Sequence, residues 1–189
     1  MSVKARAYAA VTGLLLGFTM GAAPAAAQQA SLVSDSLFIL RAGSIGLLQA
    51  KLAKLAERKG SSEAVVEFGK RMTADYSKAN DELAAGAKQA AYPAPVLLRE
   101  HKQIAERFNG MGRSSFDKAY MEEAMKHHNE AVQLFRQESE GGRVVSLKQL
   151  ASRMLPDAQQ RLALAAETGS SVGVDGTSTS TGGQGSGGK

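Results

Sequence analysis

The chain of 189 residues carries 23 Lys+Arg against 18 Asp+Glu, no Cys and no Trp, and 43% of it is hydrophobic. Lack of cysteine excludes a disulfide framework, a thiolate metal site and a catalytic thiol, and an apolar fraction near the globular average excludes a wholly disordered chain. The excess positive charge is too weak, and too evenly spread along the sequence, to argue for nucleic acid or an acidic membrane surface as a partner.

Residues 1–27 read as a secretory signal peptide: Lys4 and Arg6 form a basic start, an apolar stretch runs from Ala7 to about Ala23, and Ala25-Ala26-Ala27 offers small residues for cleavage. Cleavage after Ala27 removes both of those cations and no acid, leaves no integral membrane span, and sends the protein of a Gram-negative host to the periplasm. Residues 28–34 then serve as a short linker.

Between Ser34 and Glu167 the apolar positions recur every three or four residues, and no stretch alternates as a half-buried strand does. The first helix is expected over Asp35–Lys59, capped by Ser34, with the seam Phe38, Ala42, Ile45, Leu48, Leu52, Leu55 and a stop at Gly60. A second helix follows over Ser62–Ala91, its seam Val65, Phe68, Met72, Tyr76, Ala79, Leu83, ended by Tyr92-Pro93-Ala94-Pro95. A short third helix spans Pro95–Asn109. The fourth, Ser114–Glu140, begins where Ser114 and Asp117 have capping-box spacing and carries Phe116, Tyr120, Ala124, His127 or His128, Ala131 and Phe135 inward. The fifth, Val145–Glu167, presents Leu147, Ala151, Met154, Ala158, Leu162 and Ala165, with Pro156 as an internal kink. Residues 168–189 are almost all Gly, Ser and Thr and read as a flexible tail.

Four long helices with short Gly turns in each pair predict an all-α four-helix bundle over residues 35–167, with the third helix as connector. Gly43, Gly46, Gly69 and Gly86 fall inside predicted helices, where either close helix approach or local mobility accounts for them.

The run from Phe68 to Leu83, the phrase Phe116-Asp117-Lys118-Ala119-Tyr120, His128 through Phe135, and Ser152-Arg153-Met154-Leu155-Pro156 resemble a bacterial envelope family, domain-of-unknown-function family 4142. The family is often labelled predicted outer membrane protein and is similar to ferritin-like bundles. The resemblance covers residues 35–167 and implies an exported ferritin-like four-helix bundle. Ferritin-like bundles often hold two metal ions between inward Glu and His side chains, with Glu-x-x-His on two helices. No Glu-x-x-His occurs in this chain, and His101, His127 and His128 are its only histidines.

Members of the family commonly carry an inward Glu on the first helix, Asp-His on the second, Asp-His on the fourth and His on the fifth. On this sequence the resemblance places those positions at Gln49, at Asp75 and Tyr76, at His127 and His128, and at Arg161. Only Asp75 and His128 keep ligand chemistry, and the cation of Arg161 repels a metal. The expectation is a metal-free core network of Gln49, Asp75, Tyr76, His128 and Arg161, in which Asp75 pairs with Arg161 or accepts from Tyr76. If any metal is held there, Asp75 and His128 hold it.

Elsewhere, Glu123, His127 and Glu130 have helical spacing that suits a weak surface Zn or Cu site, although a solvated face is the simpler reading. The methionines Met72, Met111, Met121, Met125 and Met154 read as core filling. Cations in Lys51–Lys59 and Lys70–Lys78 read as exposed helix faces interleaved with acids. Neither a nucleophile elbow nor a phosphate loop is present. The sequence therefore points to a non-enzymatic envelope protein with no cofactor, structural, interacting or stress-related. The alternative is a ferritin-like metal-binding or oxidation-handling protein. An envelope protein partner is open, as is a homodimer through Leu37, Leu40 and Leu47.

Overall fold

The computed structural model describes residues 24–174, with side chains from Asp35 onward. Five α-helices fill that span: α1 Pro24–Lys59, α2 Glu63–Gln89, α3 Arg99–Gly110, α4 Phe116–Gly141 and α5 Val145–Ser171, with a 3₁₀ turn at Arg113–Ser115 leading into α4. The expected linker 28–34 is continuous with α1, because nothing in Gln28–Ser34 breaks a helix. At the other end α5 runs past Glu167 to Ser171, and Val174 folds back into the core with its amide donating to the Gly169 carbonyl at 2.9 Å. Gly173 makes that reversal possible at φ +74°, a left-handed conformation that favours glycine. Residues 1–23 of the expected signal peptide and 175–189 of the expected tail lie outside the described residues.

Each short turn joins an antiparallel pair, α1 to α2 and α4 to α5, and these pairs make the largest interfaces. The pairs then meet through α1 against α4 and α2 against α5, so the long helices form a ring in which every neighbour is antiparallel. The crossover from α2 to α4 carries the chain the length of the bundle, with α3 running alongside α1. By length and apolarity alone Asp35–Lys59 of α1 satisfies a membrane span, yet most of that stretch is buried inside the bundle.

The seam positions read from the sequence supply the core, with Leu48 and Leu52 of α1 fully enclosed, and Ala53 and Ala56 join them. Close approach explains Gly69 of α2: a Cβ there would stand 2.9 Å from the Ala56 Cβ and 3.0 Å from the Ala53 carbonyl oxygen. Buried apolar residues divide into two clusters along the axis. One, around Phe38, Ile45, Leu83, Phe135 and Leu150, lies toward the end where α1 enters; the other, around Leu52, Phe68, Phe108, Phe116 and Tyr120, lies toward the α1–α2 turn.

Two aspartates tie the hairpins together reciprocally. Asp35 of α1 accepts from the Arg143 and Val144 amides at 3.0 and 3.3 Å, closing the start of α5. Asp117 of α4 accepts from the Ser61 amide at 3.0 Å and the Ser62 amide at 2.7 Å, closing the start of α2. The capping-box role expected of Asp117 within α4 is thus replaced by a cap on another helix, since the helix dipole and orphan amides of α2 compete for the same carboxylate.

Candidate functional site

Between the two apolar clusters each long helix contributes one polar side chain: Gln49 of α1, Tyr76 of α2, His128 of α4 and Arg161 of α5, all 8% exposed or less. The Tyr76 and His128 rings are 5.7 Å apart, and the Arg161 guanidinium lies 5.3 Å from the centre of the Tyr76 ring. With Asn80 and Gly46, three of these residues line a small cavity of about 20 Å³, room for one water-sized group. Gly46 leaves room for the Asn80 amide, which a Cβ at that position would displace.

His128 donates from Nδ1 to the Ala124 carbonyl at 2.5 Å, so its neutral ring turns Nε2 inward as an acceptor. Burial pushes its pKa down to about 4, and the neighbouring Arg161 charge acts in the same direction. Burial pushes the Tyr76 hydroxyl up to about 12 against the opposing pull of Arg161, and lifts Tyr120 as well. The layer is therefore neutral at pH 7 apart from one guanidinium. Among the described residues, the Gln49 amide, the Tyr120 hydroxyl and His128 Nε2 have no hydrogen-bond partner.

Asp75, expected inside this layer, stands at the surface. Its carboxylate is 36% exposed, lies 3.7 Å from Arg71 Nε, and borders an outer pocket with Asp157 and the flank of Arg161. The reason is helical geometry: neighbouring residues point about 100° apart, so with Tyr76 inward Asp75 turns away. The network then does not close on itself as expected, because it has lost its only carboxylate. A di-metal centre needs several anionic oxygens and imidazoles together. Here one imidazole, one amide and one cation stand in their place, and among the described residues no three His, Asp or Glu gather as a metal would require. The residues do not fit that group.

A histidine pair elsewhere in the bundle is not legible in the sequence. His101 of α3 and His127 of α4 are each 2% exposed, their rings 5.2 Å apart and nearly perpendicular. Ser44 Oγ is 2.6 Å from His101 Nδ1 and accepts from the Leu98 amide, anchoring α3 to α1. His127 Nδ1 donates to the Glu123 carbonyl at 3.0 Å and lies 3.2 Å from the Glu123 carboxylate. The solvated face expected around Glu123 and His127 is thus covered, because α3 lies over it and Arg107 takes the other Glu123 oxygen at 2.5 Å. Burial lowers the pKa of both rings.

A third feature pairs two acids. Glu138 is 1% exposed and lies beside the fully buried Asp35. Burial, and then Asp35, raise its pKa to about 8, so at neutral pH it carries its proton.

A family model described as Domain of unknown function (DUF4142) matches residues 20–168. No curated protein and no solved structure matches the chain.

Proposed function

The chain belongs to the DUF4142 family, and from that premise we propose that it is an exported, non-catalytic helical-bundle protein of the bacterial cell envelope that works as a structural or interaction body. Stress-related service is compatible with that role. Export to the periplasm is supported by Lys4, Arg6, the following apolar run and Ala25–Ala27. The two hairpins and the long crossover support a ferritin-like reading of the bundle, and the described residues of the buried layer argue against the metal chemistry that such bundles often carry.

The observation that carries the reading is the make-up of the buried layer. Gln49 and Arg161 occupy positions where an ion would need carboxylate or imidazole, and Arg161 brings a positive charge to the inner wall. A protein of this kind loses nothing when metal is withheld. Elemental analysis of the purified mature protein should find no stoichiometric Fe, Mn or Zn, and its melting temperature should ignore each added cation. A tightly held equivalent, with the steep rise in melting temperature that linkage demands, would favour the metal-binding reading instead.

A further inference from the structure

Along the outer side of the bundle α1 and α3 leave an open groove of about 640 Å³. Its floor is apolar, built on Leu55 and Leu97, and its walls carry Lys51, Lys54 and Arg58 from α1 and Lys102 from α3. In the sequence the α1 cations look interleaved with an acid; in the fold they are separated from it. Glu57, the acid inside the Lys51–Lys59 stretch, turns to the opposite side of α1 and accepts from the Thr73 hydroxyl of α2. Glu106 is the one acid on the groove wall. None of the four cations forms an ion pair with a described residue. Positions 51, 54 and 58 fall on one face of α1 and span about 10 Å at 1.5 Å per residue.

An apolar strip flanked by cations is the complement of an amphipathic segment whose apolar side chains recur at three- and four-residue spacing between acids. A flat anionic bilayer meets the cationic rim and cannot reach the floor, and a bare polyanion has nothing to place on Leu55 and Leu97. We propose that this groove docks an acidic amphipathic helix of a partner protein. The proposal rests on the interaction reading above and gives it a surface and a partner chemistry.

The test uses a fluorescein-labelled peptide with Leu at helical i, i+3, i+4, i+7 spacing and Glu elsewhere, the same peptide with Lys for Glu, polyphosphate, and vesicles of anionic phospholipid, each titrated against the full mature protein. The acidic peptide should bind, tighter than the basic one and weaker as salt rises. The combined variant Lys51→Glu, Lys54→Glu, Arg58→Glu should weaken it about tenfold or more. The milder Lys51→Gln, Lys54→Gln, Arg58→Gln set should weaken it less, at an unchanged melting temperature. Lys78→Glu, Lys88→Glu, Arg153→Glu alters net charge equally and should leave binding as it is. Equal binding of both peptides, indifference to the α1 substitutions, or binding of polyphosphate or vesicles in preference to the peptide would overturn the proposal. Those outcomes leave the metal analysis untouched, so a failure of the groove is distinct from a failure of the envelope-protein reading.

Discussion

The two ends of the bundle use one device in two electrostatic settings. At the α1–α2 turn, Asp117 holds two amides from a half-buried position. At the α4–α5 turn, Asp35 performs the same task fully buried, beside the buried Glu138, and the chain leaves α2 at that end through Ala91 at φ +60°. The same hydrogen bonds therefore carry different liabilities. One end is tolerant; the other stores a carboxyl that must stay protonated and a backbone conformation that costs about 1 kcal/mol without glycine.

The largest expected contrast comes from removing the aspartates. Asp35→Ala should cost about 3 kcal/mol by urea denaturation near pH 6, since it leaves amides without acceptors and opens space in a sealed site. Asp117→Ala should cost only about 1 kcal/mol, the ordinary value of a helix cap near solvent. Equal losses would remove the distinction between the ends.

The buried layer at mid-height sharpens the comparison through pH. The His128 pKa falls from 6.5 to about 4 on folding, so its contribution is present above 6.5 and is lost as pH falls toward 4. At 1.36 kcal/mol per unit this amounts to about 3 kcal/mol, with His101 and His127 adding in the same direction. His128→Gln should flatten the acid limb in urea melts between pH 7 and 4.5. Glu138 runs the other way: its pKa rises from 4.5 to about 8 on folding, so stability is whole below 4.5 and declines as pH rises through 8. Glu138→Gln should add at least about 1 kcal/mol at pH 8 and nothing at pH 4.5. A wild-type curve that is flat on the alkaline side would show that folding does not raise the Glu138 pKa.

The smallest effect tests the backbone at the same end. The Tyr92 amide donates to the Ala87 carbonyl at 2.8 Å across Ala91, a helix stop that normally employs glycine. Ala91→Gly should raise stability by about 0.5–1 kcal/mol, read as a few degrees in melting temperature.

Helix periodicity made the architecture legible. Phe38, Ile45, Leu52, Val65, Met72, Phe116, Leu147 and Ala158 all face inward as their three- and four-residue spacing requires. What one sequence could not carry was the relation between helices. Tyr76, His128, Gln49 and Arg161 lie in the buried layer, while the resemblance that places Asp75 with them is overridden by geometry, since a one-residue step turns a side chain by about 100°. His101 gives no sign along the chain that it faces His127, because their partnership depends on where the crossover lays α3. The reciprocal caps escaped for the same reason: Asp117 has local capping spacing, and its amides come from residues more than fifty positions away.

Lys59 shows how such long-range placement shapes chemical reactivity. Its ammonium donates to the carbonyls of Phe108, Asn109 and Met111 at 3.2, 2.5 and 2.9 Å, which occupies all three of its hydrogens. An amine-directed acylating reagent should therefore label Lys51 and Lys54 first, and the lag at Lys59 becomes a direct gauge of how firmly the connecting helix is fastened in solution.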